Sequence, residues 1–116
     1  VLIAEDDIVI RGLMAEFLRD FGYNVVEAGN TDEVVAMFEA GNVVDLLFSD
    51  IRMPGSMDGL ALARRVKDRW PATSVLLTSG YPGGSVDAEN EIPVLFLPKP
   101  YPPLSLLSSI LAIVEP

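Results

Sequence analysis

Asp50 closes an apolar run, Val43-Val44-Asp45-Leu46-Leu47-Phe48-Ser49, and opens a Pro/Gly loop, Ile51-Arg52-Met53-Pro54-Gly55. Glu5, Asp6 and Asp7 close a second apolar run, Val1-Leu2-Ile3-Ala4, in the same way. Thr78 ends a third run and Lys99 follows a fourth. Carboxylates gathered from neighbouring strand ends repel one another, and their pKa values rise unless a cation shares the site. With only oxygen ligands on offer, that cation is Mg2+, with Mn2+ the alternative. Mg2+ takes one or two carboxylates and leaves positions for water and phosphate oxygens. The chemistry that follows is phosphoryl transfer. Asp50 is placed to attack phosphorus and form an acyl phosphate. Lys99 and the metal would neutralise the transferring oxygens, and the Thr78 hydroxyl would donate to one of them. Singly these residues say little. An acid after a strand is usually a helix N-cap, and Asp7 reads as one. A threonine at a strand end usually bonds locally, and a lone lysine is usually a surface charge. The convergence of all of them on one edge is what points to chemistry.

That convergence depends on the elements. Val1–Ala4, Tyr23–Ala28, Val43–Ser49, Ser74–Thr78 and Pro93–Leu97 read as short strands, rich in β-branched and apolar residues. Between them, apolar residues recur at helical spacing. Val9, Leu13, Phe17 and Phe21 mark the first helix, and Val34, Val35, Met37 and Phe38 the second. Leu60, Ala63, Val66 and Trp70 mark a third, and Leu104, Leu107, Ile110, Leu111 and Val114 a last one. Thr31 is a candidate N-cap of the second helix, and Asp58 or a neighbour is expected to cap the third. The stretch Ser79-Gly80-Tyr81-Pro82-Gly83-Gly84 is poor helix material, since Gly and Pro cost about 1 and 3 kcal/mol against Ala in a helix interior. A fourth helix there is expected to be short, shifted or irregular. Strands alternating with helices, with the strands continuously apolar, predict a parallel sheet covered on both faces. The expected architecture is an α/β, flavodoxin-like, doubly wound (βα)5 fold with strand order 2-1-3-4-5. In that order the ends of strands 1, 3 and 4 are adjacent.

The chain has 116 residues, half of them hydrophobic, and reads as one domain over residues 1–116. It opens inside a strand at Val1, which suggests a trimmed amino end or an excised domain. It has no Cys and no His, so thiolate sites, disulfides and imidazole chemistry are all excluded. No apolar stretch approaches the roughly 18–20 residues that span a bilayer. The net charge of −9 argues against direct contact with a nucleic-acid backbone. A cytoplasmic protein that touches neither nucleic acid nor membrane is expected.

The motifs together resemble a response regulator receiver domain of the CheY-like type. The matching segments are Val1–Asp7, Asp50-Ile51-Arg52-Met53-Pro54, Met57-Asp58-Gly59, Leu76-Leu77-Thr78-Ser79-Gly80 and Lys99-Pro100-Tyr101, in the family's order and over essentially the whole chain. The resemblance implies that Asp50 is the phosphoacceptor and that Glu5 and Asp6 form an acid pocket. Asp6 would ligate Mg2+ directly, Glu5 through water, and Asp50 and the Arg52 backbone carbonyl would complete the protein ligands. Thr78 would be the switch hydroxyl, Phe96 the rotating aromatic, and the Lys99–Pro100 bond would be cis. Implied partners are a histidine kinase or a histidine phosphotransfer protein, with an unknown output domain or target. Such a domain is not an enzyme beyond its own phosphorylation and dephosphorylation at Asp50. It belongs to bacterial-type two-component phosphorelay signalling. The Leu76–Tyr81 stretch leans toward the receiver of a hybrid histidine kinase or a stand-alone regulator. An aspartyl-phosphate hydrolase is the runner-up, but it would want a second Asp two residues after the nucleophile, and position 52 is Arg. Three departures from the family pattern stand out. Gly55-Ser56 lengthens the loop after Pro54 by one residue, Phe96 replaces a frequent Tyr, and Tyr81-Pro82-Gly83-Gly84 stands where a regular helix is usual.

Overall fold

The computed structural model describes residues 1–79, 95–99 and 101–113. Five strands, β1 (Leu2–Ala4), β2 (Val26–Ala28), β3 (Leu46–Asp50), β4 (Ser74–Ser79) and β5 (Leu95–Pro98), form one sheet. Its order is β2-β1-β3-β4-β5 and every pairing is parallel, as the doubly wound reading requires. The described helices are α1 (Ile8–Asp20), α2 (Thr31–Glu39), α3 (Gly59–Arg69) and, closing the chain, α4 (Pro103–Ile113). The expected irregular helix between β4 and β5 falls on residues 80–94, outside the described residues. The expected cis bond involves Pro100, also outside them.

Side chains of a strand alternate between faces, and the two cores divide accordingly. Leu2, Ala4, Leu47, Val75 and Leu77 pack against α2 and α3, with Val34, Phe38, Leu62, Ala63 and Val66. Ile3, Leu46, Phe48 and Leu76 pack against α1 and α4, with Ala15, Leu18, Leu106 and Ile110. Strands buried on both faces explain the unbroken apolar runs.

Several expected details are corrected. The strand expected from Val43 begins at Leu46, because Val43 is 93% exposed and lies before the sheet. The second strand is shorter than Tyr23–Ala28, although Tyr23 and Val25 are buried beside it. In α1 the apolar residues outnumber one face: Ala15 and Leu18 are buried, while Val9 and Leu13 stand 65% and 63% exposed. Asp7 caps α1, accepting from the N–H groups of Val9 and Ile10, and Asp58 caps α3, accepting from Ala61. The cap of α2 is Asn30 rather than Thr31. Asn30 accepts from the N–H of Glu33 and donates its side-chain amide back to the Glu33 carboxylate at 3.2 Å, which also accepts from Gly29 N–H at 3.1 Å. Thr31 is occupied elsewhere.

Leu77 is fully buried. Leu77→Ala should lower the unfolding free energy by about 3 kcal/mol. Leu104→Ala, at a side chain 65% exposed, should change it by less than about 0.5 kcal/mol. Urea denaturation of both variants checks the placement of the core.

Candidate functional site

The alternation that sorts the core continues one step past it. Ile3, Phe48 and Leu76 form the last apolar rung beneath α1 and α4. Two residues on, the same face carries Glu5, Asp50 and Thr78. Asp50 and Thr78 are register partners, and Glu5 follows the Ala4–Ser49 pair directly. Three polar side chains therefore share one rung at the carboxyl edge of the sheet. Lys99 follows β5, and its ammonium reaches across β4 to the Asp50 carboxylate, forming both an ion pair and a hydrogen bond.

The site is polar but shielded. Glu5 is 5% exposed, Asp50 9% and Thr78 2%. One Asp50 oxygen takes the Lys99 ammonium, and the other accepts from Arg52 N–H at 3.0 Å. Glu5 accepts from Asp7 N–H at 3.2 Å. Burial pushes the Glu5 carboxyl above its usual 4.5; the Asp7 bond and the Lys99 charge oppose this, and Asp50 and Asp6 reinforce it. Burial alone would lower the Lys99 ammonium, but the Asp50 bond and the charges of Asp50, Glu5 and Asp6 outweigh it, and its pKa is raised. Thr78 Oγ1 is buried and has no hydrogen-bond partner among the described residues. A buried hydroxyl left unpaired costs free energy, and the register partner of this one is Asp50.

Beside this rung lies an open cleft of ≈ 520 Å³, lined by Asp6, Ile51, Arg52, Met53, Pro54 and Asp58. Its two acidic side chains, Asp6 and Asp58, are residues that could face a hydrated ion. Among the described residues no group of three or more acidic side chains converges tightly enough to hold a metal by itself. A donor set of one or two carboxylates, a backbone carbonyl and water fits Mg2+, which keeps several of its waters. The crowd of carboxylates expected from the sequence is thus partly neutralised within the protein, by Lys99. The role expected of Phe96 concerns a side chain outside those described; its backbone lies in β5, opposite Leu77.

Three further residues shape the site. Gly59 opens α3 with its N–H on the Ile51 carbonyl at 2.7 Å, and a Cβ there would run into the Asp50 backbone carbonyl. A glycine directly after a capping aspartate, where better helix formers are available, was the signal in the sequence. Tyr101 sets its ring edge-on to Phe48, one rung below Asp50, and its hydroxyl donates to Met14 Sδ at 3.3 Å. Burial, then the charges of Glu5 and Asp50, push the Tyr101 phenol up to about 12. Thr31 braces the loop after Asp50, and nothing in its spacing announced that.

Comparison with known proteins agrees with this fold. The response regulator receiver domain family matches residues 1–110. The chain belongs to that family. Its receiver fold is shared with the receiver domain of NtrX from Brucella abortus (TM-score 0.87, 29% identity, 97% of this chain and 95% of that one). A signal receiver domain of an HD domain-containing protein from Pseudomonas fluorescens is equally similar (TM-score 0.87, 26% identity, 97% and 90%). In sequence the chain is 36% identical over 103 residues to the DNA-binding transcriptional regulator NtrC of Salmonella typhimurium, covering 87% of this chain and 22% of that protein. It is 37% identical over 83 residues to the autoinducer 1 sensor kinase/phosphatase LuxN of Vibrio campbellii, covering 72% and 10%. The receiver therefore spans a minor part of these relatives' length.

Two outcomes follow from the packing of the site. Gly59→Ala should displace the Asp50 backbone and destabilise the receiver by about 1–3 kcal/mol, read by urea denaturation. Glu5 binds its proton more tightly folded than unfolded, so its contribution makes stability fall as pH rises from 4.5 through the raised folded value. In metal-free buffer Glu5→Gln should remove that fall and leave the variant more stable than the parent at pH 7, as read by urea midpoints across pH.

Proposed function

We propose that this receiver domain takes a phosphoryl group onto Asp50 in a Mg2+-dependent reaction and changes its surface in response. The observation that carries the reading is the Thr78 hydroxyl, buried, in register with Asp50 and without a hydrogen-bond partner among the described residues. A phosphoryl oxygen on Asp50 is the acceptor that would satisfy it. Asp6, Asp50 and the Arg52 carbonyl would hold the divalent ion, with Glu5 behind them, and the bound ion would offset the negative charge of an incoming phosphoryl donor.

In the transfer, an Asp50 carboxylate oxygen forms a bond to phosphorus while the bond from phosphorus to the donor breaks. The leaving group departs with that electron pair. Lys99, already on the Asp50 carboxylate, neutralises charge on the transferring oxygens without first being recruited. Arg52 N–H holds the second carboxylate oxygen and so orients the attacking one. Afterwards phosphorylation has added roughly −1.5 to −2 charges at the edge. Lys99 and Thr78 can then pair with phosphoryl oxygens, which favours the arrangement of β4 and β5 that brings them closest.

The donor is a histidine kinase or a histidine phosphotransfer protein, and the output is an attached domain or a separate target. Membership in the receiver family and likeness to both a transcriptional regulator and a sensor kinase support this. No helix among the described residues is long and apolar enough to cross a membrane, which accords with a cytoplasmic site of action. Beyond its own phosphorylation and dephosphorylation, no enzymatic activity is proposed.

Acid-labile phosphate should be incorporated from acetyl phosphate with Mg2+ and lost in Asp50→Asn; undiminished labelling of that variant would contradict the assignment. Thr78→Ala should still be labelled, but its amide spectrum should no longer change on phosphorylation around β4 and β5. Lys99→Ala should slow labelling by about 100-fold or more.

A further inference from the structure

The segment from Arg52 to Asp58 walls the cleft and has no regular structure. Its near end is held by Arg52 N–H on Asp50, at 3.0 Å. Its far end is held by Gly59 N–H on the Ile51 carbonyl, at 2.7 Å. Between them, the polar backbone of the loop is taken up by the first turn of α2. The Thr31 hydroxyl donates to the Met57 carbonyl at 2.7 Å and lies 3.4 Å from the Pro54 carbonyl. Thr31 N–H donates to the Pro54 carbonyl at 3.1 Å. The Asp32 carboxylate accepts from Ser56 N–H at 3.2 Å. Gly55 lies at the centre of this contact with φ 126°, and a Cβ there would strike the Thr31 hydroxyl. Thr31 is fully buried although it begins a helix, and Asn30 has taken over its capping task.

We infer that Thr31 and Asp32 are positioning residues for the ion site: they hold the loop where the Arg52 carbonyl and the Asp50 carboxylate can face one ion. The inference rests on the Mg2+-dependent reading of Asp50. Mg2+ demands near-octahedral geometry at about 2.1 Å, so small ligand displacements weaken binding. Asp50 belongs to β3 and is fixed by pairing with β4. The Arg52 carbonyl belongs to the loop and is only as well placed as the loop. Loss of the brace should therefore weaken metal binding while leaving the nucleophile and Lys99 in place.

Thr31→Val keeps the branched shape and removes the donor. Calorimetric titration of the metal-free variant with MgCl2 should give a Kd raised about tenfold, the usual cost of losing an outer-shell partner. Labelling by acetyl phosphate should fall at low Mg2+ and return to the parent rate at saturating Mg2+. Thr31→Ser should restore the parent Kd. Asp32→Ala, at an exposed position, should shift Kd in the same direction by less, and it carries the test if Thr31→Val fails to fold. If the parent binds Mg2+ and is labelled, and the folded variants share its Kd, the inference is overturned whatever their urea midpoints. If the parent binds no Mg2+ and takes no label, the phosphoacceptor reading falls and the inference falls with it.

Discussion

The contact between the Lys99 ammonium and the Asp50 carboxylate is the interaction on which the site depends. Burying a charged carboxylate costs free energy unless it is paired and hydrogen-bonded. Lys99 supplies the partner from the far side of β4 and, with Arg52 N–H, fixes the orientation of the Asp50 carboxylate. A single ammonium does not balance Asp50, Glu5 and Asp6 together. The residual negative charge is what a divalent ion in the adjacent cleft would relieve, and it is also what would otherwise repel an anionic phosphoryl donor.

The edge is assembled at some cost to stability. The buried Glu5 carboxyl is driven toward its protonated form and the Thr78 hydroxyl has no partner among the described residues. Under the proposed function a bound cation and a phosphoryl group would relieve both. Such tension is characteristic of functional sites, where local rules are broken for the sake of chemistry. The two buried cores, one on each face of the sheet, supply the stability that tolerates it.

Much of this was legible in the sequence because it follows from patterns of period two and from chain order. Apolar strands ending in Glu5-Asp6, Asp50 and Thr78, and the loop carrying Lys99, define an edge once the strand order is known. The cap of α3 by Asp58 is a local interaction and was equally readable. What escaped depends on contacts between distant segments. Thr31 looks like an N-cap by residue type, yet its partners are carbonyls more than twenty residues away. Gly59 leaves a local mark, a glycine at a helix start, but its reason, the close backbone of Asp50, lies outside the helix. In α1 the apolar residues Val9 and Leu13 follow helical spacing yet face outward, because spacing defines a stripe without saying which of two stripes is covered. The strand start at Leu46 rather than Val43 is likewise a matter of pairing: the register with β4 begins at Leu46 and that with β1 at Leu47, which the local sequence does not encode.

The most direct measurement is chemical. Borohydride reduces an aspartyl phosphate to homoserine, and peptide mass spectrometry then locates it. After incubation with acetyl phosphate, homoserine should appear at position 50 alone, and only when Mg2+ is present. Homoserine at another acidic position, or an equal yield at position 50 in excess EDTA, would contradict an Asp50 nucleophile that works beside a divalent ion.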